Sequence, residues 1–196
     1  MTSIAIYCGS KSGHRPEHAG LAQATGAWLA QHQVRLVFGG GRVGLMGILA
    51  DAVLAGGGEV MGVIPKGLDE REVAHTGLTQ LVVVDNMHDR KQRMADEADA
   101  FLVLPGSIGT MDEFFEIWTW RQLGIHRKPI GLLNAGGYYD HLLRLMNHIQ
   151  SEGFMGEETT RLVAVDHDVT SLLATLLDQI AQGPGEPPSW QQLVAP

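Results

Sequence analysis

Seven short aliphatic runs alternating with stretches of helical character constrain this chain more than any other feature of its sequence. The runs cover residues 3–7, 34–38, 59–64, 81–84, 100–104, 129–133 and 162–165. They are nearly continuous in apolar character, as strands covered on both faces read. Helical spacing marks residues 17–31, 45–55, 87–97, 110–123, 138–152 and 169–180, the last with Leu172, Leu173, Leu176, Leu177 and Ile180 on one stripe. This alternation predicts a doubly wound, Rossmann-like α/β sandwich with a mostly parallel sheet of about seven strands and right-handed crossovers. Residues 66–79 show no period and are expected to form a long loop or a short irregular helix. Residues 1–182 read as one domain. Residues 183–196, with Pro184, Pro187, Pro188 and Trp190, read as a tail that orders only where Trp190 finds a pocket.

Charge and composition narrow the function. The net charge is −8 and 14 of 196 residues are Lys or Arg, which argues against a nucleic-acid groove or an anionic membrane surface. A single cysteine, Cys8, leaves no internal disulfide and fits a reducing compartment. No apolar run approaches ~18 residues and the N-terminus has no leader pattern, so a cytoplasmic protein is expected. Nine histidines are scattered without metal-ligand spacing, so neither a metal nor a cofactor is expected.

In a sheet of this kind ligands sit beyond the carboxyl ends of the strands. Four such segments carry glycine or basic residues: Cys8-Gly9-Ser10-Lys11-Ser12-Gly13, Gly39-Gly40-Gly41-Arg42-Val43-Gly44, Asn86-Met87-His88-Asp89-Arg90-Lys91, and Pro105-Gly106-Ser107-Ile108-Gly109-Thr110. Together they read as one site. Gly39, Gly41 and Gly44 match the spacing of a dinucleotide fingerprint, but the next strand ends Ile64-Pro65-Lys66 with no acid for a ribose. A mononucleotide fits better, and tight strand–helix packing also accounts for Gly44 and Gly47.

The last segment is the most telling. A glycine-punctuated turn between strand and helix presents unpaired N–H groups to an anion, with the helix dipole behind them. Thr110, Asp112 and Glu113 are expected in the first helical turn. Phosphate binding alone needs no carboxylates; a phosphorylated substrate with chemistry beside it does. Phe114, Ile117, Trp118 and Arg121 trace one stripe of that helix and read as core, as does Cys8. His88 reads as a helix-start or core histidine.

Three motifs in order closely resemble the LONELY GUY (LOG) family of cytokinin riboside 5′-monophosphate phosphoribohydrolases, whose older label is lysine decarboxylase. They are Gly39-Gly40-Gly41-x-x-Gly44-Leu45-Met46-Gly47, Met87-His88-x-Arg90-Lys91 and Pro105-Gly106-x-x-Gly109-Thr110-x-x-Glu113, and the likeness runs from about Ser3 to Val165. The resemblance implies that Arg90 and Glu113 are catalytic and that Lys91 helps fix the nucleotide. It also implies that Gly106, Ser107, Ile108, Gly109 and Thr110 hold a 5′-phosphate. Gly40, Gly41, Met87, Glu72 and Thr119 would make further substrate contacts. A homodimer or higher homo-oligomer, with both subunits near each site, is implied as well. Two positions depart from the family pattern: Ser107 replaces a usual glycine, and Asp112 a usual glutamate. Ser107 is either strained, if its φ is positive, or an extra donor to the phosphate.

Cleaving an N-glycosidic bond passes through an oxocarbenium-like ribose, which a carboxylate at Glu113 would stabilise. Arg90 is too basic to serve as a ready acid and is assigned to positioning; the proton source for the leaving base stays open. Two alternatives share the scaffold: a nucleosidase acting on AMP or other ordinary nucleotides, and a carrier that binds a nucleotide or phosphorylated cofactor without turnover.

Overall fold

Aliphatic residues repeat at every position of the central strands, and the computed structural model, which describes residues 1–68 and 74–183, builds them into one sheet. Glu72, Trp190 and nearly all of the proline-rich tail lie outside the described residues. The strands are β1 (Ser3–Tyr7), β2 (Arg35–Phe38), β3 (Val60–Pro65), β4 (Gln80–Val84), β5 (Ala100–Val103), β6 (Ile130–Leu133) and β7 (Val163–Asp166). Between and after them run α1 (Pro16–Gln31), α2 (Gly44–Ala55), α3 (Met87–Glu97), α4 (Ile108–Gln122), α5 (Asp140–Ser151), the single-turn α6 (Glu157–Thr160) and α7 (Val169–Ala181).

The sheet has the order β4-β3-β2-β1-β5-β6-β7, and every neighbouring pair is parallel. The chain winds outward from β1 to β4, then crosses back through α3 to place β5 on the other side of β1. That reversal puts the topological switch point, where such sheets open a crevice, between β1 and β5.

Side chains alternate across the sheet and build a core on each face. Ile4, Ile6, Leu36 and Phe38 pack on one side with Leu29, Leu49 and Leu173 of α1, α2 and α7. Ala5, Tyr7, Val37 and Phe101 pack on the other with Met94, Phe114 and Met146 of α3, α4 and α5. Phe101 and Phe114 are fully buried, and truncating either to alanine should cost about 3–5 kcal/mol.

Three expectations need correction, and one short helix was not foreseen. Coverage on both faces holds for the central strands but not the edges: Leu81 and Val83 of β4 are 39% and 48% exposed and Val165 of β7 is 44% exposed. The helix expected over 138–152 starts two residues later, as α5 at Asp140, after a 3-10 turn at Ala135–Gly137 in which Gly136 and Gly137 take positive φ. Helix α6 carries no apolar period that would have revealed it. Helix α4 begins at Ile108, which moves Asp112 and Glu113 into its second turn.

Candidate active site

The ends of β1 and β5 are laced together at the switch point. Leu104 donates its N–H to Tyr7 O at 2.9 Å, and Gly9 donates to Pro105 O at 3.0 Å. The Gly9 carbonyl accepts from Leu45 N at 3.0 Å and ties down the start of α2. Gly44 has φ +61, and a Cβ there would overlap the Ser10–Lys11 backbone. Its role is therefore close packing of the α2 start against the loop after β1.

The loop after β5 is braced from below. Tyr139 donates its hydroxyl to Leu104 O and Tyr138 donates to Gly106 O, each at 2.6 Å. Thr110 is buried beneath Gly106, in the space a Cβ at Gly106 would fill. Ser107 is the N-cap residue of α4, with φ −106 and ψ −156 and no capping hydrogen bond from its side chain. The strained alternative for Ser107 is thereby removed: its backbone is extended. The first helical bond runs from Met111 N to Ser107 O, so the amides of Ile108, Gly109 and Thr110 precede it, and the Ser107 side chain does not cap them. Orphan donors at a helix N-terminus suit an anion.

Two hollows meet at Ser107. The smaller, about 180 Å³, is lined by Tyr7, Cys8, Gly39, Met87 and Arg90 and by Gly109, Thr110, Asp112 and Glu113 of α4. The larger, about 510 Å³, lies between the loops after β1 and β5 and is lined by Ser10, Lys11, Ser12, His14, Arg15, His18, Gly106 and Tyr138. His14, Arg15 and Tyr138 escaped the sequence reading, which reached Lys11 only as part of the loop after the first strand. The loop after β1 was the available signal, but α1 begins at Pro16 and no periodicity tells which way the preceding side chains face.

Arg90 is 6% exposed and donates through Nη2 to Gly39 O at 3.0 Å, with Nη1 3.8 Å from the Met87 sulfur. A Cβ at Gly39 would overlap this guanidinium. Burial pushes the Tyr7 phenol well above its ordinary range, with Glu113 and Glu116 adding to the effect and Arg90 opposing it. Burial and Glu113 likewise push the Cys8 thiol up. Both groups stay protonated beside the α4 carboxylates.

Lys91 is placed differently from Arg90. Its ammonium lies 2.9 Å from Glu116 and 3.2 Å from Asp112, and it does not line the small hollow. Gly40 O accepts from His75 N at 2.9 Å, and Gly41 bridges to Ala74. Thr119 and Ile108 are exposed on α4, Ile108 at 87%. His88 is exposed near the start of α3. Trp118 is core, donating Nε1–H to Thr159 O at 2.9 Å.

An all-parallel sheet with helices on both faces and a crevice at its switch point defines a Rossmann-like α/β protein. The chain belongs to the LOG family, whose older description, "Possible lysine decarboxylase", matches residues 46–176. It is 46% identical over 175 residues to the cytokinin riboside 5′-monophosphate phosphoribohydrolase of Rhodococcoides fascians, covering 89% of this chain and 88% of that one. It is 44% identical over 173 residues to the phosphoribohydrolase LOG7 of Arabidopsis thaliana, covering 88% and 80%. Among solved structures, the molybdenum cofactor carrier protein of Chlamydomonas reinhardtii aligns with a TM-score of 0.70 at 18% identity, over 92% of this chain and 98% of that one. That likeness is one of fold.

Proposed function

We propose that this protein hydrolyses the N-glycosidic bond of a purine nucleoside 5′-monophosphate of the cytokinin type, releasing the free base and ribose 5-phosphate. The observation that carries this reading is that Arg90 and Glu113 line one small hollow together with Ser107, Gly109 and Thr110 at the start of α4. The names of the relatives support the same chemistry.

In this reading the 5′-phosphate takes the amides of Ile108, Gly109 and Thr110 and the Ser107 hydroxyl, with Lys11 and Arg15 nearby in the larger cleft. Phosphate binding energy then places the anomeric carbon against Glu113. As the bond to the base lengthens, positive charge grows on the ribose, and the Glu113 carboxylate stabilises it and orients the attacking water. Arg90, held by Gly39 O, positions the substrate and keeps a permanent positive charge over the hollow. Incubation with AMP and with its N6-isopentenyl derivative, followed by product analysis, tests the reading. Release of adenine-type base and ribose 5-phosphate is expected; tight binding of both nucleotides with no release would replace the hydrolase by a carrier.

The working form in this reading is at least a homodimer. Leu81 and Val83 on β4, Met87 on α3, and Ile108, Phe115 and Leu123 on or just beyond α4 leave apolar side chains exposed, and such side chains favour interfaces. Thr119, exposed on α4, would then meet a partner subunit. Light scattering at micromolar protein is expected to give at least twice the 21.2 kDa chain mass, and a fully active monomer would defeat the dimer.

A further inference from the structure

Two helices carry the charged residues of the site: Arg90 and Lys91 are consecutive on α3, Asp112 and Glu113 are consecutive on α4 with Glu116 one turn further along, and Arg90 and Glu113 line the same small hollow. Lys91 is 9% exposed, and its ammonium lies 2.9 Å from Glu116 Oε1 and 3.2 Å from Asp112 Oδ2. The two partners are not equivalent. The Asp112 side chain is 59% exposed, where solvent screens the pair, whereas that of Glu116 is 22% exposed. Burial alone would lower the Lys91 pKa, but hydrogen bonds and charge from Glu116 and Asp112 outweigh it and raise the value. Two buried atoms, Arg90 Nε and Glu116 Oε2, lack a hydrogen-bond partner among the described residues.

A buried ion pair is a poor source of stability, since its desolvation offsets most of its attraction. It is a good spacer, because two charges with little freedom fix the distance between the backbones that carry them. We propose that Lys91 and Glu116 form a strut between α3 and α4 that sets the separation of Arg90 and Glu113. Lys91 then acts on turnover through Glu116 and not by holding the nucleotide, and Glu116 becomes a positioning residue. The inference rests on the roles given above to Arg90 and Glu113. Its energetic reach is large, since a misplacement of about 1 Å can cost about a hundredfold in rate.

The test compares Lys91→Met, Glu116→Gln and their double variant in the full-length protein, with thermal unfolding as the folding control. Each single change is expected to lower kcat about a hundredfold and to leave KM for the monophosphate within threefold. The double variant should be no worse than the poorer single, because both remove one strut. Lys91→Arg, which keeps the pair at a changed length, should recover part of kcat; Glu116→Asp serves the same purpose where a neutral variant fails to fold. A tenfold rise in KM confined to Lys91→Met, with losses that multiply in the double variant, would assign Lys91 to the nucleotide and overturn the strut. Wild-type turnover by Glu116→Gln would overturn it as well. These outcomes presuppose an active wild type, whose complete inactivity on nucleoside monophosphates would instead fail the functional reading and, with it, the strut's catalytic role.

Discussion

The Arg90 guanidinium occupies the space a side chain would need at Gly39 and donates to that residue's carbonyl at 3.0 Å. A glycine at the end of β2 thus does more than turn the chain: it leaves room for a buried cation at the wall of the site. Gly39→Ala should push the guanidinium off its acceptor, lowering turnover on the order of a hundredfold. The overpacked methyl should cost about 1–3 kcal/mol of stability. Steady-state kinetics with urea unfolding checks both, and unchanged kcat would show that Arg90 works from another position.

Glu113→Gln keeps the shape of the side chain and removes the charge that the ribose cation needs. Turnover should fall on the order of 10³-fold, while affinity for the nucleotide stays within about tenfold, because the lost interaction belongs to the transition state. Pre-steady-state product release and equilibrium titration separate the two quantities. Near-normal turnover would end the proposed mechanism.

Ser107 has an extended backbone at φ −106, so glycine would relieve no strain there. The hydroxyl is free to serve a phosphate. Ser107→Gly should weaken binding of AMP by ~1 kcal/mol, about fivefold, and leave adenosine binding unchanged. Its unfolding midpoint should not rise. Parallel titrations of the two ligands decide the matter, with equal or tighter AMP binding by the variant arguing against the hydroxyl contact.

Cys8 is buried beside Glu113, and both burial and that carboxylate push its thiol above the ordinary 9.0. The sign follows directly: above pH 9 the unfolded thiol ionises while the folded one does not, so the unfolded state gains. Cys8 therefore contributes stability that is fully present below about pH 9 and is lost as pH rises. The stability difference between the wild type and Cys8→Ala should shrink by up to about 1.4 kcal/mol per pH unit above that point. Urea unfolding at pH 7.5, 9 and 10 measures it, and a difference independent of pH would mean that the thiol titrates alike in both states.

The parallel sheet, the helix stripes and the loops that converge on the site were legible in the sequence, because each rests on local period or on residues consecutive in the chain. Leu172, Leu173 and Leu176 pack on the sheet as their spacing predicts, and Ser107 to Thr110 stand where a strand gives way to a helix. Residues that act across the fold were less legible. That the backbone of Gly40 and Gly41 also holds the Ala74–His75 segment could not be read from the glycines alone. Lys91 looks like a twin of Arg90, yet successive residues on a helix point about 100° apart. One reaches Gly39 at the wall of the site, while the other reaches Glu116 on the neighbouring helix.

The sequence by itself determined that this chain is a parallel α/β protein of the LOG family with Arg90 and Glu113 close to a helix start. Only the tertiary structure decided that Tyr138 and Tyr139 brace the loop after β5, that Lys11 and Arg15 line the cleft beside it, and that Lys91 pairs with carboxylates of α4. The reason is physical. Periodicity reports which face of an element is buried, but the partner it meets depends on the strand order and on the angle at which two helices cross, and neither is written in any short stretch of chain.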